Sequence, residues 1–329
     1  MSRLEDKVVL VTGAAGFIGS HLSDKLAREN TNRLVLIDNL FLGKMENLNN
    51  SLRQKDVVFL EGDAGSESFM TKTIEKYKVQ VIFNLAVIPL LTSLEVPRFS
   101  YEENVRIVVN LCELLRNRKY ETLIHCSSSE AYGTAKYIPM DESHPLDPHT
   151  PYAASKAASD LFILSYCKTF DIDARIIRPF NNYGPRQNDG SYAGVIPVTI
   201  KRILSGQKPI IYGDGNQMRD YSYVRDTVKA FIAAYEHDQS ISTIINIASG
   251  AEIRIGHLIG KISNLLGYAG EFEFGPPRAG DVQRHLGSVD RAKRILNYKP
   301  STSFDLGLKE TVEWYRNKLE YAKGVARAR

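Results

Sequence analysis

The chain has few cysteines, one tryptophan and no long apolar run. Three cysteines among 329 residues, Cys112, Cys126 and Cys167, sit in apolar contexts without metal-ligand spacing. They exclude a disulfide-stapled scaffold and predict buried thiols, no metal site and a cytoplasmic location. The longest apolar stretch, Val81 to Leu91, is interrupted by Asn84 and Pro89. It falls far short of the ~20 residues a membrane helix needs, so no membrane partner is expected. Met1 to Lys7 is polar and the apolar run after it is only strand-length, which predicts no secretory leader. Neither sign of charge dominates: 42 basic and 38 acidic residues leave a net +4. That balance argues against nucleic acid, while mild basicity suits an anionic substrate.

What is present begins at Lys7. Val8, Val9, Leu10 and Val11 form a β-branched run of the kind buried on both faces of a sheet, and Thr12-Gly-Ala-Ala-Gly-Phe-Ile-Gly19 follows at once. Gly13 permits a tight turn, Gly16 lets a pyrophosphate approach bare backbone, and Gly19 lets the following helix pack close to the strand. The free N–H groups at that helix start face the phosphates. A second strand, Leu34 to Ile37, ends in Asp38, nineteen residues after Gly19, where a carboxylate accepts both hydroxyls of an adenosine ribose and favours NAD over NADP.

The alternation continues with Val57 to Leu60 running into Asp63, a helix capped by Ser66, and a strand Val79 to Phe83 opening into Asn84-Leu-Ala86. This pattern predicts an α/β Rossmann-type doubly wound parallel sheet with ligands at the carboxyl ends of its strands. The expected division is an NAD-binding domain over 1–178, rejoined by later segments, and a smaller substrate-binding lobe mainly over 179–329, where loops rich in Gly, Asn, Asp and Pro interrupt short elements. Two helices read as apolar on two sides. One, from about Tyr101, carries Val105, Val108, Val109 and Cys112 on one stripe and Ile107, Leu111, Leu114 and Leu115 on another. The second, from about Tyr152, carries Ala153, Ala157, Leu161 and Leu164 opposite Ala154, Ala158 and Phe162. A homodimer through a four-helix bundle is the expectation.

The chemistry lies between these helices. The strand Thr122 to Cys126 ends in Ser127-Ser-Ser-Glu-Ala-Tyr-Gly133, followed by Tyr152-Ala-Ala-Ser-Lys156. Tyr and Lys four apart share a helix face, so the ammonium is expected to lower the phenol pKa and hold a phenolate that removes a hydroxyl proton. A serine at the neighbouring strand end shares that proton. The trio fits an alcohol oxidised while a nicotinamide takes the hydride.

With these residues the sequence resembles the extended short-chain dehydrogenase/reductase family, in its nucleotide-sugar epimerase/dehydratase branch. The likeness runs from Thr12 to Arg284, through Arg178-Pro-Phe-Asn-Asn-Tyr-Gly-Pro-Arg186, Gly213 to Val224 and Pro277 to Arg284. It implies Tyr152 as catalytic base, Lys156 as its partner and a nicotinamide-ribose ligand, and Ser128 as the proton-sharing hydroxyl, with Ser127 and Ser129 as alternatives. It implies NAD contacts at Gly13, Gly16, Phe17, Ile18, Gly19, Asp38, Asn39, Asp63, Ala64, Leu85, Ala86, Tyr152, Lys156 and Pro179. Ser128, Ser129, Asn181, Arg219 and Arg284 become ligands of a nucleotide-diphosphate sugar, the arginines through forked contacts to the diphosphate. Glu130 is similar to the glutamates of the 4,6-dehydratases and C6 decarboxylases, although Ser129-Glu130 departs from the Asp-Glu of dTDP-glucose dehydratases. Gly133 to Glu142 looks most like UDP-N-acetylglucosamine dehydratases. The implied reaction is an NAD-dependent 4,6-dehydration, with 4-epimerisation and UDP-glucuronate decarboxylation as alternatives.

Overall fold

The computed structural model describes residues 4–29, 31–190, 193–277 and 280–327, with side chains to residue 320. Two residues of the Pro277–Arg284 match, Arg278 and Ala279, lie outside the described residues. The first half alternates as the apolar runs require: β1 (Val8–Thr12), α1 (Phe17–Leu26), β2 (Arg33–Asp38), β3 (Val57–Glu61), α2 (Glu67–Tyr77), β4 (Val81–Asn84), α3 (Leu90–Glu95), α4 (Pro97–Arg116), β5 (Thr122–Cys126), α5 (Pro151–Phe170) and β6 (Ala174–Pro179). In the second half β7 (Asn181–Tyr183), α6 (Val195–Leu204), β8 (Ile210–Tyr212), β9 (Met218–Tyr223) and α7 (Val224–Glu236) precede β10 (Ile244–Ile247). Then come β11 (Glu252–Arg254), α8 (Ile255–Leu265), β12 (Glu273–Gly275), α9 (Asp290–Leu296) and α10 (Phe304–Arg327).

Seven strands form one parallel sheet in the order β10-β6-β5-β4-β1-β2-β3. Alternate side chains serve opposite faces. Val9, Val11, Leu34 and Leu36 join Leu22, Leu26, Phe231 and Tyr235 of α1 and α7 in one core. Leu10, Val35, Ile37 and Ile82 join Met70, Ile74, Leu111 and Ile163 of α2, α4 and α5 in the other. The strand order reverses between β1 and β4, where a doubly wound sheet opens a crevice for ligands. Excursions after β6 build a three-stranded sheet, β11-β9-β7, and the pair β12-β8. Tyr183, Ile196, Tyr221, Leu258 and Leu308 form their core. β10 returns to pair with β6. Among the described residues no helix is long and apolar enough to cross a membrane.

The two expected apolar stripes of α4 form one broad buried face from Asn104 through Val108 and Leu111 to Leu115, with Val105 and Val109 only half-buried. On α5 the buried face differs from the one expected. Ser155, Lys156, Ser159, Asp160, Ile163 and Cys167 point inward, and Leu161 is 57% exposed. The inward side of this helix is polar because it carries reactive groups, so apolar periodicity alone picks the wrong stripe. The three thiols are free. Burial raises that of Cys126 to about 11, which keeps it protonated.

Candidate active site

A cavity of about 630 Å³ lies over the carboxyl ends of the strands at the switch point. It begins at the glycine turn. Gly13 has φ +64°, and a Cβ there would stand 2.7 Å from the Leu85 carbonyl. A Cβ on Gly19 would stand 2.0 Å from Gly13 O, so glycine is required for α1 to dock on the turn. Gly16 caps α1 without a side-chain hydrogen bond, and no acidic residue lies in the helix's first turn. The helix start therefore offers unneutralised N–H groups to an anion.

Asp38 is buried at the end of β2. Its Oδ2 accepts from Ala15 N at 2.9 Å and its Oδ1 from Leu40 N at 2.8 Å. These bonds aim the carboxylate along the rim and leave lone pairs for further donors. Burial raises its pKa, and the backbone donors work in the opposite direction. Next to it, the Thr12 hydroxyl donates to Asn84 Oδ1 at 2.7 Å and accepts from Leu85 N and Ala86 N at 3.2 Å each, fixing the edge of β4.

The reactive side chains come from β5 and α5. Ser128 caps the short turn Ser129–Tyr132, its Oγ accepting from Glu130 N at 3.2 Å. The Ser128 hydroxyl acts on the Tyr152 phenol, lowering its pKa against burial, and Lys156 Nζ lies 6.0 Å from the Tyr152 ring centre. Lys156 donates to the Cys126 carbonyl at 2.7 Å. The three candidate serines differ in their engagements. Ser127 Oγ donates to Asp160 Oδ2 at 2.6 Å, and Ser129 Oγ lies 3.5 Å from His285 Nδ1. Of the three, Ser128 is the one that lowers the pKa of the phenol.

Asp160 sits one turn beyond Lys156 on the same helix. It is fully buried, and Arg178 Nη2 donates to it at 2.6 Å. This ion pair holds Ser127, and with it the backbone on either side that presents the Cys126 carbonyl and Ser128.

Electrostatics correct one expectation. Burial pushes the Tyr152 phenol well above its ordinary value, and the Ser128 hydrogen bond is what draws it back. Burial also lowers the Lys156 ammonium pKa. The expected depression of the phenol by Lys156 is absent because the ammonium is desolvated and turned onto the Cys126 carbonyl. Burial raises the Glu130 carboxyl as well, opposed mainly by the Arg219 guanidinium. Glu130 thus lies in the same cavity as Tyr152 with its neutral form favoured relative to a carboxyl in water.

All the cofactor positions expected from the sequence line this cavity, as do Ser128, Ser129, Glu130 and Asn181. Arg219 and Arg284 do not. Arg219 Nη2 pairs with Asp281 Oδ1 at 2.5 Å, not with its neighbour Asp220, whose carboxylate accepts from Ser249 and Gly250. Arg284 forks onto Glu252, its Nε 2.9 Å from Oε2, and is half-exposed. The two arginines are near each other through the Met218–Arg284 bridge. A diphosphate ligand would have to displace these carboxylates.

Sequence reasoning missed Lys44, Arg186, Trp314 and Lys318 in the cavity wall. Lys44 and Lys318 both pair with Asp189, at 2.8 Å each. Only Arg186 carried a local signal, as the cation of Gly184-Pro-Arg186 directly after β7.

The cavity suits a dinucleotide: glycine turn and helix start for the diphosphate, a buried acid for the ribose, and a volume within the usual range for cofactor sites. The family model described as GDP-mannose 4,6 dehydratase matches residues 10–311. A putative UDP-glucose 4-epimerase of Methanocaldococcus jannaschii is 36% identical over 94% of this chain and 99% of its own. The crystal structure of UDP-glucose 4-epimerase from Thermotoga maritima, with UDP-glucose, superposes with a TM-score of 0.89 at 32% identity, over 95% of this chain and 99% of that one. The dTDP-glucose 4,6-dehydratase of Streptomyces venezuelae, with NAD bound, reaches a TM-score of 0.89 at 29% identity, over 95% of this chain and 98% of that one. The glycine turn, the Ser-Tyr-Lys cluster and these whole-length matches place the chain in the extended short-chain dehydrogenase/reductase family, among the nucleotide-sugar epimerases and dehydratases.

Proposed function

We propose that the protein is a nucleotide-sugar 4,6-dehydratase with NAD as its cofactor. NAD, when bound, would supply an oxidised nicotinamide able to accept the hydride from the sugar C4 and later give it back. The phenolate form of Tyr152 would take the C4 hydroxyl proton and Ser128 would share it, while Lys156 anchors the Cys126 carbonyl beneath them. The resulting C4 ketone acidifies the proton on C5. Glu130 removes that proton and delivers it to the C6 hydroxyl, which leaves as water, and C6 receives the returned hydride.

The observation that supports dehydration is the Glu130 carboxyl in the same cavity as Tyr152, two residues past Ser128, with its pKa raised by burial. A carboxyl whose pKa is raised by burial keeps a proton more readily than one in water, and so can act both as base and as acid toward the departing hydroxyl. Incubation with UDP-, dTDP- and GDP-sugars in deuterated water tests this reading. Loss of one water with deuterium at C5 is expected, and an unchanged mass with inverted C4 overturns it. The likeness to a protein named a 4-epimerase at 36% identity favours that second reading, in which the ketone turns over in place and Glu130 is a polar wall residue. UDP-N-acetylglucosamine is the substrate we favour, on the likeness of Gly133 to Glu142. The diphosphate contacts we assign to Asn181, Arg219 and Arg284, the arginines exchanging carboxylate partners for phosphate.

We also propose a homodimer through α4 and α5. Phe99, Tyr101, Leu161 and Phe170 of these helices are all at least 40% exposed, a cost in water that a second copy of the same face removes. Sedimentation at micromolar concentration is expected to give the mass of two chains; the mass of one chain would contradict it.

A further inference from the structure

Arg186 has no part in the chemistry above, yet several independent features converge on it. Its φ is +67°, a conformation that a residue with a side chain keeps only when its surroundings impose it. Those surroundings are α1. His21 Nε2 donates to the Pro185 carbonyl at 2.9 Å, and Arg186 Nη2 donates to Asp24 Oδ2 at 2.6 Å. The side chain is 14% exposed, and its Nη1 is buried with no hydrogen-bond partner. The same side chain lines the cavity that holds Gly16 and Phe17.

A guanidinium is a planar fork whose edges bind acceptors side by side. Here Asp24 fixes Nη2 and leaves Nη1 as a desolvated, unpartnered donor on a side chain that lines the cavity. The other cations of this wall are engaged elsewhere: Lys44 and Lys318 by Asp189, Arg106 by Asp63 and Glu103, and Lys156 by the Cys126 carbonyl. We infer that Arg186 is a ligand of the cofactor diphosphate, its Nη1 contributing to the same anion as the glycine turn. The inference rests on the NAD reading of the cavity. A loop that follows the last strand of the first half thereby contributes to holding a cofactor bound by the first turn, and Asp24 acts as the positioning residue that orients the fork.

The test uses the full-length protein and NADH as probe. The chain's one tryptophan, Trp314, lines the same cavity, so energy transfer from indole to reduced nicotinamide reports binding without turnover. R186A is expected to weaken NADH binding roughly 10- to 100-fold, as loss of a charge-assisted hydrogen bond does. R186K, which keeps the charge and loses the fork, is expected to recover part of it. D24N keeps the guanidinium but loosens its orientation, and is expected to weaken NADH binding clearly less than R186A. Unchanged binding in R186A overturns the inference. So do equal losses in R186A and D24N, which would make the pair a structural tie between α1 and the loop. If R186A does not fold, R186Q serves in the same comparison with the same outcomes. Failure of the wild-type protein to bind NADH overturns the NAD reading and the inference with it, and is recognised by the absence of transfer in every variant.

Discussion

Tyr152→Phe lowers turnover roughly 10²- to 10⁴-fold, the range over which a positioned acid-base group contributes, while cofactor binding persists. The substitution removes one oxygen from a residue whose ring is already held by packing at the start of α5. Tyr152 N accepts no new role in this; it donates to Ser93 Oγ at 3.2 Å in either variant. The loss is in kcat because the phenol acts on the proton that moves in the transition state. Ser128→Ala is a milder version, since it deletes the hydrogen bond that opposes the effect of burial on the phenol. Steady-state kinetics with a competent nucleotide sugar, beside an NADH titration, checks both halves. A kcat within about threefold of wild type, far short of that range, would remove Tyr152 from the chemistry.

Glu130→Gln abolishes dehydration, by roughly 10²-fold or more, and spares the C4 step. Glutamine keeps the size and polarity of the side chain but can neither remove a C5 proton nor protonate a departing hydroxyl. The pH dependence gives the sign. A carboxyl whose folded pKa is raised by burial loses its basic form as pH falls through that raised value, so the acid limb of dehydration lies above the pH at which an ordinary glutamate titrates. The limb is absent in Glu130→Gln. Product mass and proton exchange at C5, followed against pH, measure it. Full dehydration by Glu130→Gln would instead support the epimerase-type arrangement, in which this acid does no chemistry.

The readable part of the chain was the part governed by local rules. Val8 to Val11 must be a strand buried on both faces, Gly13 and Gly19 must be glycines because backbone lies where their Cβ atoms would go, and Ser66 caps α2 by accepting from Phe69 N. Asp38 sits where the turn-to-acid spacing puts it. Local rules misread α5, because a helix that buries Lys156 and Asp160 hides polar groups and leaves Leu161 outside. They offered no sign of the Arg219 ion pair, since Asp281 is brought to it by a loop sixty-two residues away. They were silent on Trp314 and Lys318, which reach the cavity from α10, a helix packed on α6, α8 and β9 well over a hundred residues beyond the glycine turn. Long-range closure of that kind leaves no periodicity or spacing in the sequence.

The central claim is that a sugar alcohol at C4 is oxidised beside Tyr152 and that the hydrogen removed stays in the site until it is returned. Its most direct measurement is the fate of deuterium placed at C4 of the nucleotide sugar, with an equal amount of unlabelled substrate present. The account predicts that the label appears at C6 of the product, within the same molecule that lost it. Label released to water, or still at C4 in a product that has lost water, contradicts it.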